Sequence, residues 1–161
     1  MIPEEELVSE AEVVQGIEEF FNKQGYKTEE KHLKGKGIDL RLSKNGVQHI
    51  FEMEGNKNPS PEEAHYPTWR NKPRNRNFST SQKYTHYYRS IAQICARMKN
   101  NKGKFYIGLP KGDKYYEKKV DETSEGLKRL GITIVWYDKK SKTVTMEEFR
   151  GNDRLRQYIP R

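Results

Sequence analysis

Apolar positions along the chain alternate between two periods. Leu7, Val13, Val14, Ile17, Phe20 and Phe21 recur at helical spacing. Pro3 followed by Glu4, Glu5 and Glu6 has the form of a helix start, and Gly25 suits its end. Residues 26–33 read as a strand. Residues 37–57 then read as a β-hairpin. Asn45-Gly46 is a type I′ turn signal, because both positions of that turn need positive φ. The turn sets the register: Lys44 faces Val47, Leu42 faces His49, Leu40 faces Phe51 and Asp39 faces Glu52. Alternation puts Ile38, Leu40, Leu42, Phe51 and Met53 on one apolar face, and Asp39, Glu52 and Glu54 on the other.

The period is lost over residues 55–83, which contain Asn-Lys-Asn-Pro-Ser-Pro and later Pro67, Trp69 and Pro73. A loop this long in a small domain is usually functional or disordered. A second helix is expected over 84–100, with Tyr84, Tyr87 or Tyr88, Ile91, Ile94 or Cys95, and Met98 as its apolar stripe. A buried strand follows at Lys104–Leu109. A third helix runs through Tyr116, Val120, Leu127 and Leu130 and is closed by Gly131. A strand at Ile132–Tyr137 and a short edge strand at Lys142–Met146 complete the pattern. The tail Arg150–Arg161 carries little signal. Strands separated by helices favour a mixed sheet with helices on its faces, an α/β class.

Composition adds a charge map. The chain has 161 residues, suited to one domain, and net charge +8. No acidic residue stands between Glu63 and Asp113, an interval with 11 Lys and Arg residues. Taking those 11 from the 31 basic residues leaves 20 against 23 acidic ones, net −3, so the excess charge is local. A local basic patch attracts a polyanion. Within it, Trp69, Arg70, Lys72, Arg74, Arg76 and Phe78 interleave aromatic and cationic groups, which suits phosphates and exposed bases. Trp69 and Phe78 equally suit anchoring the loop to the body. Lys83 and Arg89 extend the basic set. Cys95 is the single cysteine, so an internal disulfide is excluded. No apolar run reaches membrane-spanning length, and the acidic start differs from a signal peptide, so a cytoplasmic protein is expected. His32, His49, His65 and His86 lack metal-ligand spacing, and no phosphate-binding loop or nucleophile elbow is present.

Asp39 and Glu52 are the candidate chemistry. Like charges opposite each other in a sheet are destabilising, by roughly 3 kcal/mol at about 5 Å and an effective dielectric near 20. A hard divalent cation relieves such a cluster best; basic side chains are the ordinary alternative.

The order α-β-β-β-α-β-α-β, with Gly-Ile-Asp39-Leu, a gap of 12 residues and Ile-Phe-Glu52-Met-Glu54, resembles the PD-(D/E)XK nuclease superfamily. The resemblance covers about residues 12–137. It implies a restriction-endonuclease-like αβββαβ core in a single domain. It implies Asp39 and Glu52 as ligands of Mg²⁺ (or Mn²⁺), with Glu54 at the usual Lys position, where it would orient or deprotonate water or bind a second ion. Lys57 is an alternative cation, three residues off the motif spacing. Gln93 in Ser-Ile-Ala-Gln-Ile resembles the family's helical Gln, and Glu12, Glu18 and Glu19 are available as a first-helix acid. The implied activity is metal-dependent phosphodiester hydrolysis, with DNA favoured over RNA and the choice between them left open, without a membrane. A homodimer is compatible with it, since one active site cuts one strand. The alternatives are an inert nucleic-acid-binding module, for which the missing Lys argues, and a module docking an acidic protein.

Overall fold

Ser9 accepts a hydrogen bond from the Glu12 amide while the Glu12 side chain accepts one from Ser9 N–H, and this reciprocal cap starts the first helix, α1 (Glu10–Lys23). The helix therefore begins seven residues beyond Pro3; the acidic run Glu4–Glu6 forms only a 3₁₀ turn. The structure, a computed structural model, describes residues 2–33, 37–59, 76–150 and 153–158.

Strand β1 (Lys27–Lys31) pairs antiparallel with β2 (Leu40–Lys44), and β2 pairs antiparallel with β3 (Val47–Met53). The turn between them holds Asn45 at φ 51° and Gly46 at φ 75°. Its register matches the expected one, with Leu40 opposite Phe51, Leu42 opposite His49 and Lys44 opposite Val47.

Helix α2 (Thr80–Met98) starts at a second reciprocal cap, Ser79 with Gln82. It crosses to β4 (Lys104–Pro110), parallel to β3. Helix α3 (Lys114–Leu130) is capped by Asp113 and ends at Gly131, at φ 70°. It leads to β5 (Ile132–Asp138), parallel to β4. Strands β6 (Thr143–Arg150) and β7 (Asp153–Tyr158) add antiparallel neighbours. The tail thus supplies a seventh strand, so β6 is not the edge. The sheet follows sequence order from β1 to β7. This mixed sheet flanked by helices is compatible with a restriction-endonuclease-like core.

Two apolar layers cover the sheet. Val13, Val14, Ile17 and Phe21 of α1 pack on Leu40, Leu42, Phe51 and Met53. Tyr87 and Ile94 of α2, with Tyr116, Val120 and Leu127 of α3, pack on Ile50, Ile107 and Ile134. Ile38 belongs to this second layer and not with Leu40, because it precedes β2 and follows Gly37 in its left-handed conformation. The acid-bearing face of β3 is therefore roofed by α2 rather than open to water. The choice in the α2 stripe is settled too: Tyr87 and Ile94 are fully buried, while Tyr84 is 52% exposed. Among the described residues, no helix is long and apolar enough to cross a membrane.

Candidate active site

Four carboxylates from three elements meet at the C-terminal end of β3. Asp39 immediately precedes β2, and its Oδ2 accepts the Met53 N–H at 2.7 Å. Glu52 and Glu54 are each 2% exposed. Glu54 lies just past β3, where its N–H still donates to the Gly108 carbonyl at 3.0 Å. Glu10, the first residue of α1, is the fourth. It arrives there because residues 54–56 are bolted to the start of α1. Asn56 donates its N–H to the Val8 carbonyl and accepts the Val8 N–H, each at 2.8 Å. Gly55 lies so close that a Cβ there would stand 2.5 Å from the Glu10 nitrogen. Tyr116 donates its hydroxyl to the Gly55 carbonyl at 2.8 Å.

The acids perturb one another. Burial, then the charges of Glu10 and Glu52, push Asp39 well above the ordinary carboxylate range. Burial and the Glu54 charge raise Glu10 to about 8, with Arg89 opposing. Burial also raises Glu52, against the lowering effects of Arg97 and of a hydrogen bond with Asp39.

Helix α2 lays cations over this cluster. His86, Arg89, Gln93 and Arg97 are spaced so that they form one stripe. Arg97 Nε donates to Glu52 Oε1 at 2.9 Å, and its Nη2 donates to the Gly37 carbonyl at 2.6 Å. One guanidinium thereby ties β3 to the segment that carries Asp39. His86 Nδ1 lies 2.7 Å from Glu54 Oε2, and its ring stacks on Phe78 at 4.8 Å and 8°. Arg89 Nη2 lies 3.6 Å from Glu54 Oε1.

The expected site residues thus separate into groups. Asp39, Glu52 and Glu54 come together, Asp39 from just outside the paired register of β2 and β3. Gln93 lies on the α2 stripe and is exposed. Lys57 is elsewhere: its Nζ pairs with Glu12 at 3.2 Å. Lys83 is no surface cation, being 6% exposed and paired with Asp113 at 2.7 Å. Arg76 is exposed and Arg89 half-exposed. Trp69, Arg70, Lys72 and Arg74 lie outside the described residues. Bridge pairing of Lys57 with Asn77, and the Phe78 N–H donated to Asn56 O at 2.8 Å, bring the two ends of that segment together beside the site.

Glu12, Glu18 and Glu19 all miss the cluster. Glu12 caps α1 and pairs with Lys57 and Lys139, and Glu18 pairs with Lys31. Glu10 takes the place expected of the first-helix acid. The signal for it was Ser9-x-x-Glu12, which sets the helix start and hence which acid heads it.

Among the described residues, no group of three His, Cys, Asp or Glu side chains is arranged to hold a metal ion. The donor chemistry of two of them fits one. Asp39 and Glu52 are hard oxygen donors in mutual contact, and each has one oxygen outside its bond to Met53 N–H or Arg97. Glu54 is held by His86 at 2.7 Å, with Arg89 only at 3.6 Å. The pair therefore suits an ion whose remaining ligands are water or substrate oxygens.

No family model matches this chain, and no curated protein matches it. Among solved structures, an XisH family protein from Nostoc punctiforme matches at 13% identity and TM-score 0.48, covering 82% of this chain and 94% of that one. A likeness this distant carries no argument about activity, and the fold assignment stands on the chain's own topology.

Proposed function

We propose that the protein is a metal-dependent nuclease that hydrolyses phosphodiester bonds, with DNA as the preferred substrate. The observation that carries this reading is the Asp39–Glu52 pair, two buried carboxylates in contact at a sheet end roofed by the cations of α2. Asp39 and Glu52 would hold Mg²⁺ or Mn²⁺, which would polarise the phosphoryl oxygen and acidify bound water. Arg97 positions Glu52 against the Asp39 segment, and Met53 N–H fixes the Asp39 carboxylate. Glu54, oriented by His86, faces the site as the acceptor that aligns attacking water. The basic residues beside the site contact the phosphate backbone and so position substrate without reading its sequence.

The same contacts favour a second reading. Arg97 on Glu52 and His86 on Glu54 compensate both buried acids without any metal, as in a nucleic-acid-binding module that keeps the fold and does not turn over.

Incubation of plasmid and branched oligonucleotides with Mg²⁺ or Mn²⁺ separates the two. Cleavage by wild type and its loss in Asp39→Ala supports the nuclease. Salt-dependent binding without cleavage by either protein selects the inert module. Absence of binding at any salt concentration rejects both in favour of a protein-docking role.

A further inference from the structure

Resting on the nuclease reading, we infer that Arg89 is the catalytic cation of this site, binding a non-bridging oxygen of the scissile phosphate.

A phosphodiester brings its own negative charge to four carboxylates. A cation beside the cluster would offset that charge, and β3 offers none: Lys57, just beyond it, is turned to Glu12. Three α2 side chains reach the cluster, and their commitments differ. Arg97 is 31% exposed and makes two directed bonds, to Glu52 and to the Gly37 carbonyl. Moving it to a substrate would leave Glu52 buried without compensation. His86 is 24% exposed, and stacking on Phe78 with its Nδ1 on Glu54 holds the ring.

Arg89 is 51% exposed and its nearest carboxylate oxygen is at 3.6 Å, beyond hydrogen-bonding distance. Its remaining close contact is Nη2 to His86 Nδ1 at 3.0 Å. That nitrogen cannot serve both neighbours. If it carries a proton and donates to Glu54, it has no lone pair for Arg89. The 2.7 Å contact to a carboxylate is the stronger claim, so the Arg89 fork is left with its donors uncommitted while still acting electrostatically on Glu10. An uncommitted planar guanidinium at the rim of an acidic cluster fits a phosphate oxygen pair. It is also the one cation of the stripe that can move to substrate without breaking a bond of the fold.

The test is steady-state cleavage of a short duplex in Mg²⁺ by wild type, Arg89→Ala and Arg89→Lys, with thermal midpoints as a check on folding. Arg89→Ala should melt like wild type, lose about 10²–10³-fold in kcat, and change KM by less than about threefold. Arg89→Lys should recover part of kcat, since it restores charge without the fork. An Arg89→Ala enzyme within about twofold of wild type in kcat, or one whose entire loss lies in KM, overturns the role. Wild type that binds but never cleaves overturns the nuclease reading itself, and the role with it. The two failures are therefore distinguishable.

Discussion

Replacing Glu10 by Gln should stabilise the protein at alkaline pH and leave it unchanged at acid pH. Glu10 titrates near 4.5 when free and near 8 in the fold. Between those values the folded state binds more protons than the unfolded one, so stability is fully present below about 4.5 and is lost as pH rises through about 8. The displacement alone sets a ceiling of about 5 kcal/mol. Sharing of charge with Asp39 and partial solvent contact reduce this to an expected 2–3 kcal/mol, or roughly 5–10 °C in the melting midpoint. The opposing effect is small: a carboxylate at the first position of α1 gains only about 0.5 kcal/mol from the helix dipole. Urea titrations of wild type and Glu10→Gln at pH 5 and pH 8.5 measure the difference. The midpoints should lie close together at pH 5 and separate widely at pH 8.5, with Glu10→Gln the more stable. Millimolar Mg²⁺ should narrow the gap by stabilising wild type more. Parallel pH curves, or a less stable Glu10→Gln at pH 8.5, would refute the claim that the four acids strain one another.

Arg97→Ala leaves Glu52 buried and releases Gly37, so it should lower stability by about 3–5 kcal/mol, read by denaturant unfolding. Lys83→Met should have a comparable cost, because Asp113 then lacks the charge partner that now sits 2.7 Å away; Lys83→Met with Asp113→Asn should cost less than the sum of the single variants. His49, held down to about 4 by burial and by Lys104 and Lys44, is neutral in the fold. It contributes stability above about 6.5 that is lost as pH falls toward 4, roughly 3 kcal/mol in all. The difference between wild type and His49→Gln across pH 4–7 should show this slope, free of the opposite slope from the acids.

The hairpin was legible in the chain because its causes are local. Asn45-Gly46 selects one turn, the turn selects one register, and that register pairs Leu40 with Phe51, leaving Asp39 and Glu52 as the next residues along the hairpin. Helix ends marked by Gly25 and Gly131 and the apolar runs of β4 and β5 were legible for the same reason. Pro3 and the acids after it misled, since they satisfy the preferences of a first turn while the Ser9–Glu12 cap, beginning six residues after Pro3, makes two directed bonds there.

What tertiary structure decided was the company those acids keep. Residues far apart in the chain carry no periodic signal of meeting, so Glu10 could not be chosen over Glu12, Glu18 or Glu19 until Asn56 and Gly55 joined the head of α1 to the end of β3. Lys83 and Arg89 look alike as basic residues six apart. On a helix of 3.6 residues per turn they point to different sides, one into a buried pair with Asp113 and the other to the rim above Glu54. Sequence by itself determined that the strands carry an acidic pair; only packing decided that a helix roofs it with cations, because charge pairing across the fold depends on distance in space and not along the chain.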